Sequence, residues 1–218
     1  MVKGVLFDMD GLMFDTERLS LEAWRFAGRQ LGFAPRDEFL LALRGSMGDE
    51  ARAKLQREFG PGFDYDRTRQ VRLAYADSWI EQHGMPVKPG LLPLLEELKA
   101  RGIPAALATS TTRPTAWGYL TRAGVKDDFA ASVCGGEVER PKPNPDVFLK
   151  AAGLLGLDPG TCMVLEDSHN GIRAGHASGA ETVMVPDLLP VTDEMRSLYD
   201  DCCKDLFEVK AKMEQGVL

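Results

Sequence analysis

No apolar stretch in the 218-residue sequence is long enough to cross a bilayer. The first apolar run, Val5-Leu6-Phe7, is cut off by Asp8 and Asp10, so a secretory signal core is not expected either. Positive charge is in deficit, with 26 Lys+Arg against 33 Asp+Glu and a formal charge of -7. Such a chain has no general attraction for phosphate backbones or anionic lipid, so neither nucleic acid nor a membrane is expected as a partner, and any anion site must be local. Cysteine is scarce and badly placed for a disulfide framework: Cys134, Cys162, Cys202 and Cys203 show no C-x-x-C spacing, and two are adjacent. That pattern suits a reducing cytoplasm, with Cys134 and Cys162 as small core residues. The absence of G-x-x-x-x-G-K-[ST] excludes a P-loop enzyme. Three histidines are present; His169 and His176 lack metal-ligand spacing, and His83 closes a helical pattern. Repeats and low-complexity runs are also missing.

What is present is ordinary globular material, 44% hydrophobic and 27% charged, sufficient for a sizeable core. The length allows one large domain or one domain with a smaller insertion. Short β-rich apolar runs recur at Val2–Phe7, Ile103–Ala108, Ala131–Cys134, Cys162–Leu165 and Thr182–Val185, with helical patterns between them. The clearest helix carries Leu91, Leu94, Leu95 and Leu98 and stops at Gly102. Alternating strands and helices predict an α/β fold built on a doubly wound parallel sheet.

The stretch from about Asp15 to His83 breaks that rhythm and contains no convincing strand. Leu19, Ala23, Phe26, Ala27 and Leu31 predict one amphipathic helix, Phe39 to Leu43 a second, and Val71, Ala74, Tyr75, Ser78 and Trp79 a later one. The linker Met85 to Gly90, with two prolines and a glycine, marks the return. The predicted organisation is a core domain of residues 1–14 and 86–218, with residues 15–85 inserted as a helical domain. Trp24, Trp79 and Trp117 fall in helical patterns and read as packing residues.

Four groups follow predicted strands, at the sheet edge where α/β folds bind ligands. Asp8 and Asp10 would repel each other unless a cation or proton lies between them, although a turn in which they bond their own backbone is the commoner use of such a pair. Thr109-Ser110-Thr111-Thr112 offers hydroxyls and backbone N–H groups for a local anion site, beyond what one N-cap needs. Lys142, flanked by Pro141 and Pro143, is a cation on a stiff backbone, suited to a phosphate and a neighbouring carboxylate. Glu166-Asp167 supplies hard oxygen ligands of the kind Mg²⁺ takes, with Asp167 or Ser168 also able to cap the next helix.

In this order and placement the motifs resemble those of the haloacid dehalogenase superfamily: FDMDG (residues 7–11), Thr109, Lys142 in RPKPNPD, and Glu166-Asp167 in LEDSHNG. The likeness covers nearly the whole chain. The insertion resembles the helical type-1 cap of the β-phosphoglucomutase-like branch, and the short span from Thr109 to Lys142 leaves no room for the other cap type.

The resemblance implies Asp8 as a nucleophile that forms an aspartyl-phosphate and Asp10 as the acid and base. It implies Mg²⁺ as cofactor, held by Asp8, Asp10 through its carbonyl, and Asp167, with Glu166 in or near this set. Thr109, Ser110 and Lys142 would hold the phosphoryl group. Halide-removing members lack the second acid, so Asp10 argues for ester chemistry. The cap is expected to close on hinges at Phe14-Asp15 and Met85-Pro86, with Glu17, Ser20, Arg44 and Gly45 facing the substrate. Ser20 and Gly48 stand where the mutase subgroup has a histidine and an arginine, which weakens that reading. The expected activity is a cytoplasmic, monomeric, Mg²⁺-dependent phosphatase acting on a small phosphorylated metabolite such as a sugar or polyol phosphate. A phosphosugar mutase is the alternative. A binding module without turnover is disfavoured, because four carboxylates with no metal to balance them would destabilise the fold.

Overall fold

The computed structural model describes residues 2–43, 46 and 48–218. Strand β1 (Gly4–Phe7) is followed by helices α1 (Thr16–Leu31), α2 (Asp37–Leu43), α3 (Gly48–Phe59) and α4 (Tyr65–His83). The chain continues through α5 (Leu91–Arg101), β2 (Ala105–Thr112), α6 (Arg113–Ala123), β3 (Phe129–Gly135), α7 (Asp146–Leu154) and β4 (Cys162–Glu166). It ends with α8 (His169–Ser178), β5 (Glu181–Met184), α9 (Asp193–Arg196), β6 (Asp201–Cys202) and α10 (Leu206–Glu214). Contacts divide it into two units, Met1–Asp15 with Val87–Leu218, and Thr16–Pro86. Among the described residues no helix is long and apolar enough to cross a membrane.

The first unit is a doubly wound α/β fold on one six-stranded parallel sheet in the order β3-β2-β1-β4-β5-β6. Every residue of β1 and β4 is buried, as expected of central parallel strands covered on both faces. The strand order reverses at β1 and β4, the switch point where such sheets bind ligands. Leu91, Leu94, Leu95 and Leu98 are all buried on α5, each contributing roughly 1.5–3 kcal/mol. Gly102, at φ 67°, ends that helix in the left-handed region that glycine adopts without steric cost.

The sheet departs from the sequence-based expectation at its ends. Strand β6 was not expected, because two residues carry no alternation to read. Strand β2 runs past Ala108 to Thr112, so the hydroxyl run belongs to the strand's irregular end, with a register shift against β3 between Ala108 and Thr112.

The second unit is all helical. Trp24, Leu40, Leu43, Ala51 and Leu55 form its core, edged by Phe33, Phe39 and Phe59. The polar helix α3 was missed because only Ala51 and Leu55 on it are buried. On α4 the buried residues are Thr68 and Ile80, while Tyr75 and Trp79 of the expected stripe are half-buried. Tyr75 stacks on Phe26, with ring centroids 4.7 Å apart.

Candidate active site

The Asp8 backbone N–H donates to the Leu165 carbonyl at 3.0 Å, which ties the residue leaving β1 to the neighbouring β4. Beyond it the chain folds back sharply, and Gly11 donates to the Phe14 carbonyl at 2.8 Å. Gly11 sits at φ 89°, and a methyl there would collide with the Asp167 carboxylate; a bare α-carbon at 11 is what lets the loop after β4 approach the loop after β1. Ser168, not Asp167, caps α8, accepting from the Gly171 N–H at 3.0 Å.

Lys142 reaches this edge from the loop before α7, whose start is clamped by an Arg140–Asp146 ion pair at 2.7 Å. The ammonium is buried and makes three hydrogen bonds: to Asp8 Oδ1 at 2.6 Å, the Ala108 carbonyl at 2.9 Å and Glu166 Oε1 at 2.8 Å. Glu166 is itself pinned, since Oε2 accepts the Ser168 N–H at 2.7 Å. Thr109 is buried and accepts the Thr111 N–H at 3.0 Å. Asp10, half-buried, accepts at Oδ2 from the Thr111 hydroxyl at 2.6 Å. The structure thus brings together Asp8, Lys142, Glu166 and Asp167, and links Asp10 to the strand that carries Thr109. Ser110 is exposed on the same segment.

Oxygen atoms of Asp8, Glu166 and Asp167 lie within 4.8 Å of one another, and all three residues are buried. One ammonium faces three carboxylates, so the set is short of positive charge. A divalent cation fits that imbalance, and an all-oxygen donor set suits Mg²⁺ over softer metals. Burial pushes the Asp8 carboxyl up to about 8; Lys142 opposes the rise, and Glu166 and Asp10 add to it. Burial alone would lower Lys142, but Asp8 and Glu166 outweigh it and hold the ammonium above its ordinary value.

A pH dependence follows for the protein stripped of metal. Unfolded, Asp8 loses its proton near the ordinary 3.8; folded, it keeps it to about 8. Between those values the folded state binds more protons, so stability falls as pH rises, by up to about 1.4 kcal/mol per unit. Melting curves in EDTA should therefore show the wild type losing ground to Asp8→Asn from pH 5 to pH 8, and parallel profiles for the two proteins would show that Asp8 has no such role.

The remaining site residues expected from sequence lie in the second unit or outside the described residues. Glu17 is half-buried in the first turn of α1. Ser20 accepts from Arg72 at 3.0 Å, in a cleft of about 150 Å³ that Trp24, Tyr65 and Ser46 also line. Arg44 and Gly45 lie outside the described residues. Sequence reasoning missed Arg72, whose guanidinium lies 3.7 Å over the Trp24 ring, because only the apolar residues of α4 were read. It also saw Thr111 only as one hydroxyl among four.

A sequence model of the haloacid dehalogenase-like hydrolases matches residues 2–179. The chain belongs to that family. Hexitol phosphatase A of Escherichia coli (strain K12) is 32% identical to this hydrolase over 191 residues, which cover 84% of this chain and 82% of that protein. The crystal structure of a point mutant of CbbY from Rhodobacter sphaeroides, in complex with xylulose-(1,5)bisphosphate, matches with a TM-score of 0.81 at 25% identity, covering 95% of this chain and 96% of that one. β-Phosphoglucomutase from Clostridium difficile matches at a TM-score of 0.80 and 23% identity, covering 99% and 96%, a likeness of fold. The resemblance to the β-phosphoglucomutase-like branch therefore extends to the three-dimensional structure.

Proposed function

We propose that this hydrolase is a Mg²⁺-dependent phosphatase that cleaves a sugar or polyol phosphate through an aspartyl-phosphate at Asp8. One observation carries the reading: at the switch point of the sheet, a buried lysine and three buried carboxylates from separate stretches of chain converge, with Asp10 fixed at the same edge. Hexitol phosphatase A and the sugar bisphosphate bound to CbbY support the substrate class.

In this mechanism Asp8 attacks phosphorus as the ester oxygen departs, and water then hydrolyses the acyl phosphate. Asp10 protonates the departing oxygen and later takes a proton from the water. The Thr109 hydroxyl already accepts from Thr111, so its own hydrogen is available to a phosphoryl oxygen. Lys142 uses its hydrogens on Asp8, Ala108 and Glu166; once Asp8 bonds phosphorus, its hydrogen bond to Lys142 can pass to the phosphoryl group. When bound by Asp8, Asp167 and the Asp10 carbonyl, with Glu166 behind them, Mg²⁺ supplies Lewis-acid stabilisation of the transferring charge. Thr16–Pro86 is the helical cap in this reading, and the protein acts as a monomer in a reducing cytoplasm, in keeping with four free cysteines.

A panel of sugar and polyol phosphates tests the proposal by release of inorganic phosphate. Release is expected with Mg²⁺ and should fall about a hundredfold or more in EDTA, the loss of several kcal/mol of charge stabilisation. Glucose 6-phosphate formed from its β-1-phosphate without phosphate release would instead establish a mutase, and no turnover of any ester would sink both.

A further inference from the structure

We infer that Thr111 is a positioning residue that holds the carboxyl of Asp10 in place for proton transfer; the inference rests on the phosphatase reading above. The Thr111 hydroxyl donates to Asp10 Oδ2 at 2.6 Å across 101 residues of sequence. Its own placement is constrained from two sides. The Thr111 N–H is bonded to the buried Thr109 hydroxyl, and Gly135 on β3 packs so closely on this segment that a methyl at 135 would collide with the Ser110 carbonyl. The hydroxyl is therefore held on the irregular end of a paired strand, a more rigid support than a free loop.

The bond anchors the Asp10 carboxyl to the strand end, which restricts its rotation and sets the position from which it exchanges its proton. In the first half-reaction the Asp10 proton passes to the ester oxygen as its bond to phosphorus breaks and the Asp8–phosphorus bond forms. In the second, Asp10 takes a proton from water as the water oxygen bonds phosphorus and the Asp8–phosphorus bond breaks. The Thr111 hydroxyl exchanges no proton with the substrate.

A comparison of leaving groups separates this role from a structural one. An alkyl phosphate releases an alkoxide that needs the proton, whereas p-nitrophenyl phosphate releases a stable phenolate that does not. Thr111→Val keeps the shape and removes the donor; Thr111→Ser keeps the donor. With the sugar or polyol phosphate that the wild type turns over fastest, Thr111→Val should lower kcat by about 10- to 100-fold, part of the full worth of a general acid. With p-nitrophenyl phosphate its kcat should fall less than about threefold, with KM for both esters little changed, while Thr111→Ser stays within about threefold of wild type on both. An equal loss on the two esters, no loss on the alkyl ester, or no rescue by serine would overturn the inference and leave the phosphatase reading standing. A wild type that releases phosphate from no ester would instead overturn that reading, and this inference with it.

Discussion

Asp8→Asn is expected to lower kcat by about 10⁴-fold or more, roughly 5.5 kcal/mol of barrier, while the protein stays folded. An amide of nearly the same shape cannot form the acyl phosphate, so the loss falls on the chemical step. Folding survives because the amide still offers a carbonyl oxygen to Lys142, which also keeps its bonds to Glu166 and the Ala108 carbonyl. The change also removes a buried carboxyl that resists ionisation, so in EDTA at pH 8 the variant should melt no lower than the wild type. Single-turnover measurement of phosphate release, beside a melting curve, checks both halves. A kcat above about a hundredth of wild type would remove Asp8 from the nucleophile's place.

Gly171→Ala is expected to damage stability and turnover together, although residue 171 carries no chemistry. A methyl there would occupy the space of the Glu166 carboxylate. Either Glu166 or the start of α8 must then move, and both moves undo buried bonds. Lys142 would lose one of its two carboxylate partners and the Ser168 N–H its acceptor. Breaking a buried ion pair costs about 3–5 kcal/mol, which in a chain of this size corresponds to a melting temperature lower by roughly 10 °C. With Lys142 displaced, kcat should fall by roughly a hundredfold or more. Gly118→Ala is the control: it lies within α6 with nothing near enough for the methyl to touch, so it should be neutral or slightly stabilising. Equal melting temperatures for Gly171→Ala and wild type would falsify this account of the glycine.

The part of the site that could be read from sequence is the part that violates a pattern. Asp8, Asp10, Glu166 and Asp167 interrupt or end apolar runs at the ends of β1 and β4, where acids have no packing explanation. Lys142 stood out through its flanking prolines. The residues that hold these groups in place could not be read the same way. Thr111 acts through a bond to a residue 101 positions away, and no local period encodes such a pairing. Gly171 matters for the volume it leaves empty, which depends on where Glu166 comes to rest. Arg72 stacks on Trp24 and binds Ser20, but on α4 it resembles any other solvated cation. The sheet followed the same division: the five apolar runs were legible, whereas the two-residue β6 is defined by its neighbour β5 alone.

The central place of β1 also bears on how the chain is synthesised. Its two neighbours in the sheet begin at residues 105 and 162, so a nascent polypeptide emerging from the ribosome holds β1 with at least one edge unpaired until the residues from 162 onward have been translated. Fragments truncated before Cys162 would retain both early aspartates yet expose a hydrophobic sheet border prone to self-association.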